Sequence, residues 1–180
     1  MTKTGFDSTV FIPFDNMVFD TRQMYILVDH LEGVKRFLFK DKEGTISQKA
    51  EMFLSSNLDV IFKDLEQRGL EPANDAKQQE FLTEIVHHLK RLPAVKVNLA
   101  FEPSVTFINF MASAVSLQIG YKVLLDIVVD QFIVAGATFE FAGKYADYTL
   151  AVSIDNFIGN YVKGMGKKSE SNGLVVPATV

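Results

Sequence analysis

A chain of 180 residues with a net charge of -4, sixteen Phe, no Trp and no Cys is long enough to bury one sizeable core or two small ones. Without cysteine there are no disulfides, thiolate metal sites or cysteine nucleophiles, which suits a reducing, cytoplasmic setting. Charge of both signs is spread over both halves, which leaves no surface for a polyanion and excludes nucleic acid as a partner.

Residues 1–20 carry Val10, Phe11, Ile12, Phe14, Val18 and Phe19 around Pro13 and read as an extended arm that needs a surface to lie on. The first residues lack the basic start and apolar run of a signal peptide, and no stretch approaches about 18 uninterrupted apolar residues, so neither export by that route nor a membrane span is expected. From 21 to 39, Met24, Leu27, Leu31, Val34 and Leu38 recur at three- and four-residue steps and predict a helix despite Gly33. Residues 41–44 read as a turn. A second helix is expected from a cap at Ser47, with Ala50, Phe53, Leu54, Leu58, Ile61, Phe62 and Leu65 on one side, up to Gly69. A third follows the cap candidates Asn74 and Asp75, carries Phe81, Leu82, Ile85, Val86, Leu89 and Leu92, and ends at Pro93.

At Pro93 the period changes to two. Val95, Val97, Leu99 and Phe101 alternate with Lys96, Asn98 and Ala100, which predicts a strand with one buried face. Ser104 can cap a fourth helix through Val105, Ile108, Met111, Ala112, Val115 and Ile119, closed by Gly120. The apolar run 121–129 is rich in β-branched residues and reads as a central strand. Residues 133–142 and 144–149 read as a hairpin joined near Gly143, with Gly136 marking a bulge or a close backbone approach. Leu150, Ile154, Phe157, Ile158, Tyr161 and Val162 fall at helical spacing and predict a terminal helix. The rest is a polar tail with a small apolar plug at 174–176. The expected organisation is an arm over 1–20, a helical region over 21–92, an α/β domain over 93–163 and a flexible tail over 164–180, an α+β fold.

Signals for catalysis or cofactor binding are weak. His87 and His88 are neighbours on a helix and point about 100° apart, so they cannot share a metal as an i, i+4 pair does. His30 beside Asp29 reads as a surface residue. Asp126, Asp130, Glu140 and Asp147 lie on or near strands, where two could converge as an acid and base, or all could face solvent. Gly143-Lys144 lacks the rest of a phosphate loop. No catalytic, cofactor-binding or metal-binding residue is nominated, and a protein that works through its contacts is expected.

The ordered series from Leu92-Pro93-Ala94-Val95 through Phe101-Glu102-Pro103-Ser104, then Lys122-Val123-Leu124-Leu125-Asp126-Ile127-Val128-Val129-Asp130, then Ala135-Gly136-Ala137 and Gly143-Lys144-Tyr145-Ala146-Asp147-Tyr148-Thr149-Leu150 resembles the carboxy-terminal domain of the delta subunit of F-type ATP synthase. That subunit is the bacterial counterpart of the oligomycin-sensitivity-conferring subunit, and the likeness covers residues 77–150. In that family a strand leads into a helix, a second strand ends at an aspartate before a glycine-containing turn, and a hairpin returns across the sheet. This chain has Asp130-Gln131 and Ala135-Gly136 where members commonly carry Asp-Pro and paired glycines, and about three helices precede Pro93 in place of six.

The resemblance implies a non-catalytic stator subunit without cofactor, which links the catalytic head to the peripheral stalk. The implied partners are the b-type stalk helices and the alpha subunits of the head. The implied location is cytoplasmic, at the inner face of the energy-transducing membrane and attached only through those partners. Candidate contact residues are Phe107 and Phe110, off the main stripe of the fourth helix, and Phe157, Ile158, Tyr161 and Val162 on the terminal one. Phe101, Glu102, Pro103, Asp130, Gly136, Gly143, Tyr145, Asp147 and Tyr148 are read as fold-determining. The alternatives are an unrelated adaptor or ligand-binding α/β module, and a small hydrolase built on the strand-end carboxylates.

Overall fold

Helix α2 (Thr21–Phe37) starts where the Asp20 carboxylate accepts the Gln23 amide proton at 2.6 Å. This side-chain bond satisfies one of the backbone donors left over at a helix start. The computed structural model describes residues 6–38 and 44–169, the stretch 161–169 by its backbone only. Within these residues the fold is α+β, with a four-stranded mixed sheet and a terminal helix. The chain falls into two compact units, Met1–Val95 with Pro103–Ile127, and Lys96–Glu102 with Val128–Val180.

In the first unit, α2 buries Met24, Leu27, Val28, Leu31 and Val34, the stripe expected from its spacing. Helix α5 (Asp75–Lys90), capped by Asn74 through the Ala76 amide, buries Phe81, Leu82, Ile85, Val86 and Leu89 beside it. The segment read as an extended arm folds instead into two short helical turns over its described part. Asp7 caps a single 3-10 turn (Ser8–Val10), and α1 (Ile12–Asp15) follows with Pro13 in its first turn. Proline is tolerated there because the N–H it lacks would have no partner in the helix. Phe14 is fully buried and tilts against Phe62 at 5.8 Å between ring centroids. Phe6 meets Phe81 edge-on at 5.2 Å. Burial of each such ring contributes about 1.5–3 kcal/mol, so this segment is part of the core.

The expected second helix is two. A capping box at Thr45 and Gln48, not Ser47, starts α3 (Ile46–Lys49). The helical path ends at Ala50, and Ser55 restarts it as α4 (Ser56–Gln67). Serine and asparagine compete for backbone bonds in a helix interior, and Ser55, Ser56 and Asn57 stand at the break. The break lets Ala50 and Leu58 both be buried, while Phe53 leaves the core and stacks on Phe37 at 3.4 Å. The expected turn over 41–44 lies outside the described residues except for Gly44.

Strand β1 (Ala94–Leu99) alternates as read, with Val95, Val97 and Leu99 buried. It ends before Phe101, which is half-exposed. Ser104 caps α6 (Val105–Ile119) by accepting from the Phe107 amide, and Gly120 ends the helix in a left-handed conformation at φ 89°. The chain returns in β2 (Leu124–Val129). Leu124 N–H donates to Pro93 O at 2.9 Å, and Asp130 N–H donates to Leu99 O at 2.8 Å. The constant offset marks β1 and β2 as parallel, the pairing a helical crossover permits.

Strands β3 (Ala137–Phe141) and β4 (Lys144–Asp147) form the expected hairpin. Its two-residue loop, Ala142-Gly143, has both residues at positive φ, which matches the twist of the flanking strands. The sheet order β2-β1-β3-β4 corrects one expectation: β2 is an edge strand, not a central one. Its outer side meets one bridge, where Leu125 N–H donates to Phe19 O beside Asp20. Its apolar run is buried only at Leu124 and Leu125, while Val128 and Val129 are exposed, and the run says nothing of its place in the order. Helix α7 (Leu150–Ser169) runs six residues into the stretch read as tail. The apolar plug at 174–176 lies outside the described residues.

Candidate functional site

Helix α6 has fifteen residues and no charged side chain. Its polar residues are only Thr106, Asn109, Ser113, Ser116 and Gln118, yet it buries only Met111 and Ala112. Its outward stripe runs through Phe107, Phe110, Ala114 and Leu117. Phe110 is 72% exposed and Leu117 85%. The i, i+4, i+7 spacing of Phe110, Ala114 and Leu117 lines them up on one face, with the small Ala114 leaving a notch between two large side chains. Such a stripe suits the apolar face of another helix. The helix is anchored from behind, where Ser116 Oγ accepts from the Val123 N–H at 3.1 Å.

The second unit carries exposed apolar residues of its own. Along α7, Leu150, Ile154, Phe157 and Ile158 are exposed at i, i+4, i+7 and i+8, and no α7 residue with a described side chain is buried. Phe157 and Ile158 therefore face outward. Tyr161 and Val162 fall on the same helix, and their side chains lie outside the described residues. The loop before β3 adds Phe132, 96% exposed, and Val134. Sequence reading placed Ile133 onward in a strand and missed this pair. The signal was Asp130, whose carboxylate accepts from the Phe132 amide at 2.9 Å and whose carbonyl accepts from Ile133. Together these bonds fold 130–133 into a tight turn that ends the strand.

The residues read as fold-determining cluster around the hairpin and the carboxy-terminal end of β1. Gly136, at φ 100°, lies against the Tyr148 carbonyl, the close approach that was expected. The Tyr148 ring meets Phe139 edge-on at 6.0 Å. Tyr145 hydroxyl donates to Asp147, which also accepts from the Thr149 amide at 2.8 Å. Phe101, Glu102 and Pro103 form the exposed to half-buried link into α6.

The titratable groups sort individually. Asp126 accepts from the Thr21 hydroxyl, Asp130 and Asp147 bond to local backbone amides, and Glu140 stands exposed opposite Tyr145. His30 is exposed. His88 stacks on Phe11 at 4.4 Å and its Nε2 lies 2.9 Å from Asp15 Oδ1, on a groove of 270 Å³ lined also by Ser8, Glu84, His87 and Arg91. Half-buried Lys122 sits 4.3 Å over the Phe19 ring, and burial pulls its ammonium below the usual lysine range, with Asp15 opposing. Among the described residues, no group of three or more His, Asp or Glu side chains could hold a metal ion, and no helix is long and apolar enough to cross a membrane.

What fold and surface define is a class, an α+β protein with exposed apolar residues on both units. No protein-family model matches the chain, and no curated protein matches it.

Proposed function

We propose that this chain is a non-catalytic peripheral-stalk subunit of an F-type ATP synthase, linking the catalytic head to the membrane-anchored stalk during proton-driven ATP synthesis. The observation that carries the reading is the charge-free stripe of α6 with Phe110 and Leu117 turned outward. The strand, helix, strand and hairpin after Pro93 also follow the order of the family the sequence resembles. A stator resists torque, so it needs a durable contact and no reactive group. Apolar burial supplies that at about 25 cal/mol per Å² before association costs.

In this reading the b-type stalk helices lie on the exposed apolar faces, the alpha subunits of the head are the second partner, and the chain reaches the inner, cytoplasmic face of the membrane through them. No cofactor enters. Co-purification with tagged stalk protein tests it. The wild-type chain is expected to be retained and the double substitution Phe110→Glu with Leu117→Glu to be lost, both folded by circular dichroism. A wild-type chain that stays monomeric beside the stalk helices overturns the proposal.

A further inference from the structure

The corner between α4 and α5 holds a polar network around α3. Lys49 is almost fully buried, its ammonium 2.5 Å from Asp75 Oδ1 and 3.0 Å from Gln78 Oε1. Gln78 is fully buried, and its amide donates to the Gly44 carbonyl at 3.1 Å and to Glu71 Oε1 at 3.4 Å. The same Glu71 oxygen accepts the Ile46 amide proton at 2.5 Å, at the first residue of α3. Ser47 donates to Glu66 at 3.1 Å. Four residues of helix are thus tied from three sides.

One atom stands out. Glu71 Oε2 is buried and has no hydrogen-bond partner among the described residues. Glu71 is one of the residues lining a cavity of 310 Å³, with Gly44, Thr45, Glu66, Pro72, Ala73 and Gln78. Among the described residues, the groups facing this corner are the carboxyls of Glu66, Glu71 and Asp75 and the ammonium of Lys49, three acids to one base. An unsolvated carboxylate oxygen without a donor is costly, and a proton removes the charge that makes it so.

We propose that the Glu71 carboxyl is a proton-operated pin of this clasp: protonated, it holds α3 tightly on the α4–α5 corner, and ionised, it loosens α3 while the rest of the core stays packed. Burial is the largest influence on this carboxyl and raises it above its ordinary range; the Ile46 amide opposes, Glu66 adds to the rise, and Lys49 opposes. With the folded value above the unfolded one, the clasp is at full strength below the unfolded value and weakens as pH rises through the folded one.

The test follows the Glu71 side-chain carboxyl by NMR from pH 3 to 8 in the full chain, with hydrogen exchange of the 46–49 amides corrected for intrinsic rates. The expected result is a titration above about 4.3, the ordinary glutamate value, with loss of 46–49 protection over the same range. Glu71→Gln, neutral and of the same shape, is expected to keep that protection at every pH. A titration at or below the ordinary value, or a Glu71→Gln chain that loses protection in step with the wild type, overturns the proposal.

Discussion

Gly136 passes so close to Tyr148 that a β-carbon on it would run into the Tyr148 carbonyl oxygen. The approach is fixed on both sides. Tyr148 N–H donates to Ala137 O and Leu150 N–H to Ala135 O, each at 2.9 Å. The chain entering β3 is thereby bound to the chain leaving β4, and α7 begins from that junction.

Gly136→Ala combines this clash with a backbone that L side chains rarely adopt, and is expected to lower stability by about 3 kcal/mol or more. Gly143→Ala, at φ 75° with open space around it, is expected to lower it by only about 1–2 kcal/mol. Urea midpoints of the two variants, with an unchanged denaturant slope, check the difference.

Two phenylalanines separate core from surface. Phe62→Ala, at a fully buried site, is expected to cost about 3–5 kcal/mol of stability. Phe110→Ala is expected to change stability by less than about 0.5 kcal/mol. The same change should weaken binding to the stalk helices about 30-fold, the equivalent of about 2 kcal/mol for a contact near the centre of an interface. Thermal unfolding and titration calorimetry on the same samples measure both.

The Lys49–Asp75 pair is expected to matter more than the exposed pairs. Asp75→Asn leaves a buried ammonium facing a neutral amide. The loss is set at about 2 kcal/mol, below the 3–5 of a fully buried pair because Asp75 itself is over a third exposed. Asp59→Asn, which breaks the exposed i, i+4 pair with Lys63, is expected to leave the unfolding midpoint unchanged.

Asp147 gives a pH dependence of the opposite sign to Glu71. The Thr149 hydroxyl and amide, with Tyr145 behind them, hold its carboxyl below the usual aspartate range. Its contribution is therefore present above the unfolded value and disappears as pH falls through the folded one. Protection of the Thr149 amide, taken relative to its intrinsic exchange rate, is expected to fall on acidification in the wild type and to be low at all pH values in Asp147→Ala.

Most elements after Pro72 were legible because their signals are local. Asn74, Ser104 and Gly120 mark helix ends through bonds or dihedrals within a few residues of themselves, and β1 shows its buried face by simple alternation. The Ala142-Gly143 turn likewise needs only its own two residues. The candidate surface was legible in part. Phe110, Phe157 and Ile158 were picked out by sitting off a stripe or on a terminal one, whereas Leu117, Phe132 and Val134 were missed, since each reads as an ordinary apolar residue in an apolar run.

By itself the sequence determined the order of helices and strands in the second half and both ends of α6, because caps, proline and the period of apolar residues act over one or two turns of chain. Only the tertiary structure decided that residues 6–20 belong to the core, that the helix after Thr45 breaks at Ala50, that β2 lies at an edge, and which phenylalanines remain outside. Each of those depends on what stands opposite a residue across the fold. A Phe at position 14 and one at position 110 carry the same ring, and their different fates follow from the presence of Phe62 against the first and of solvent against the second.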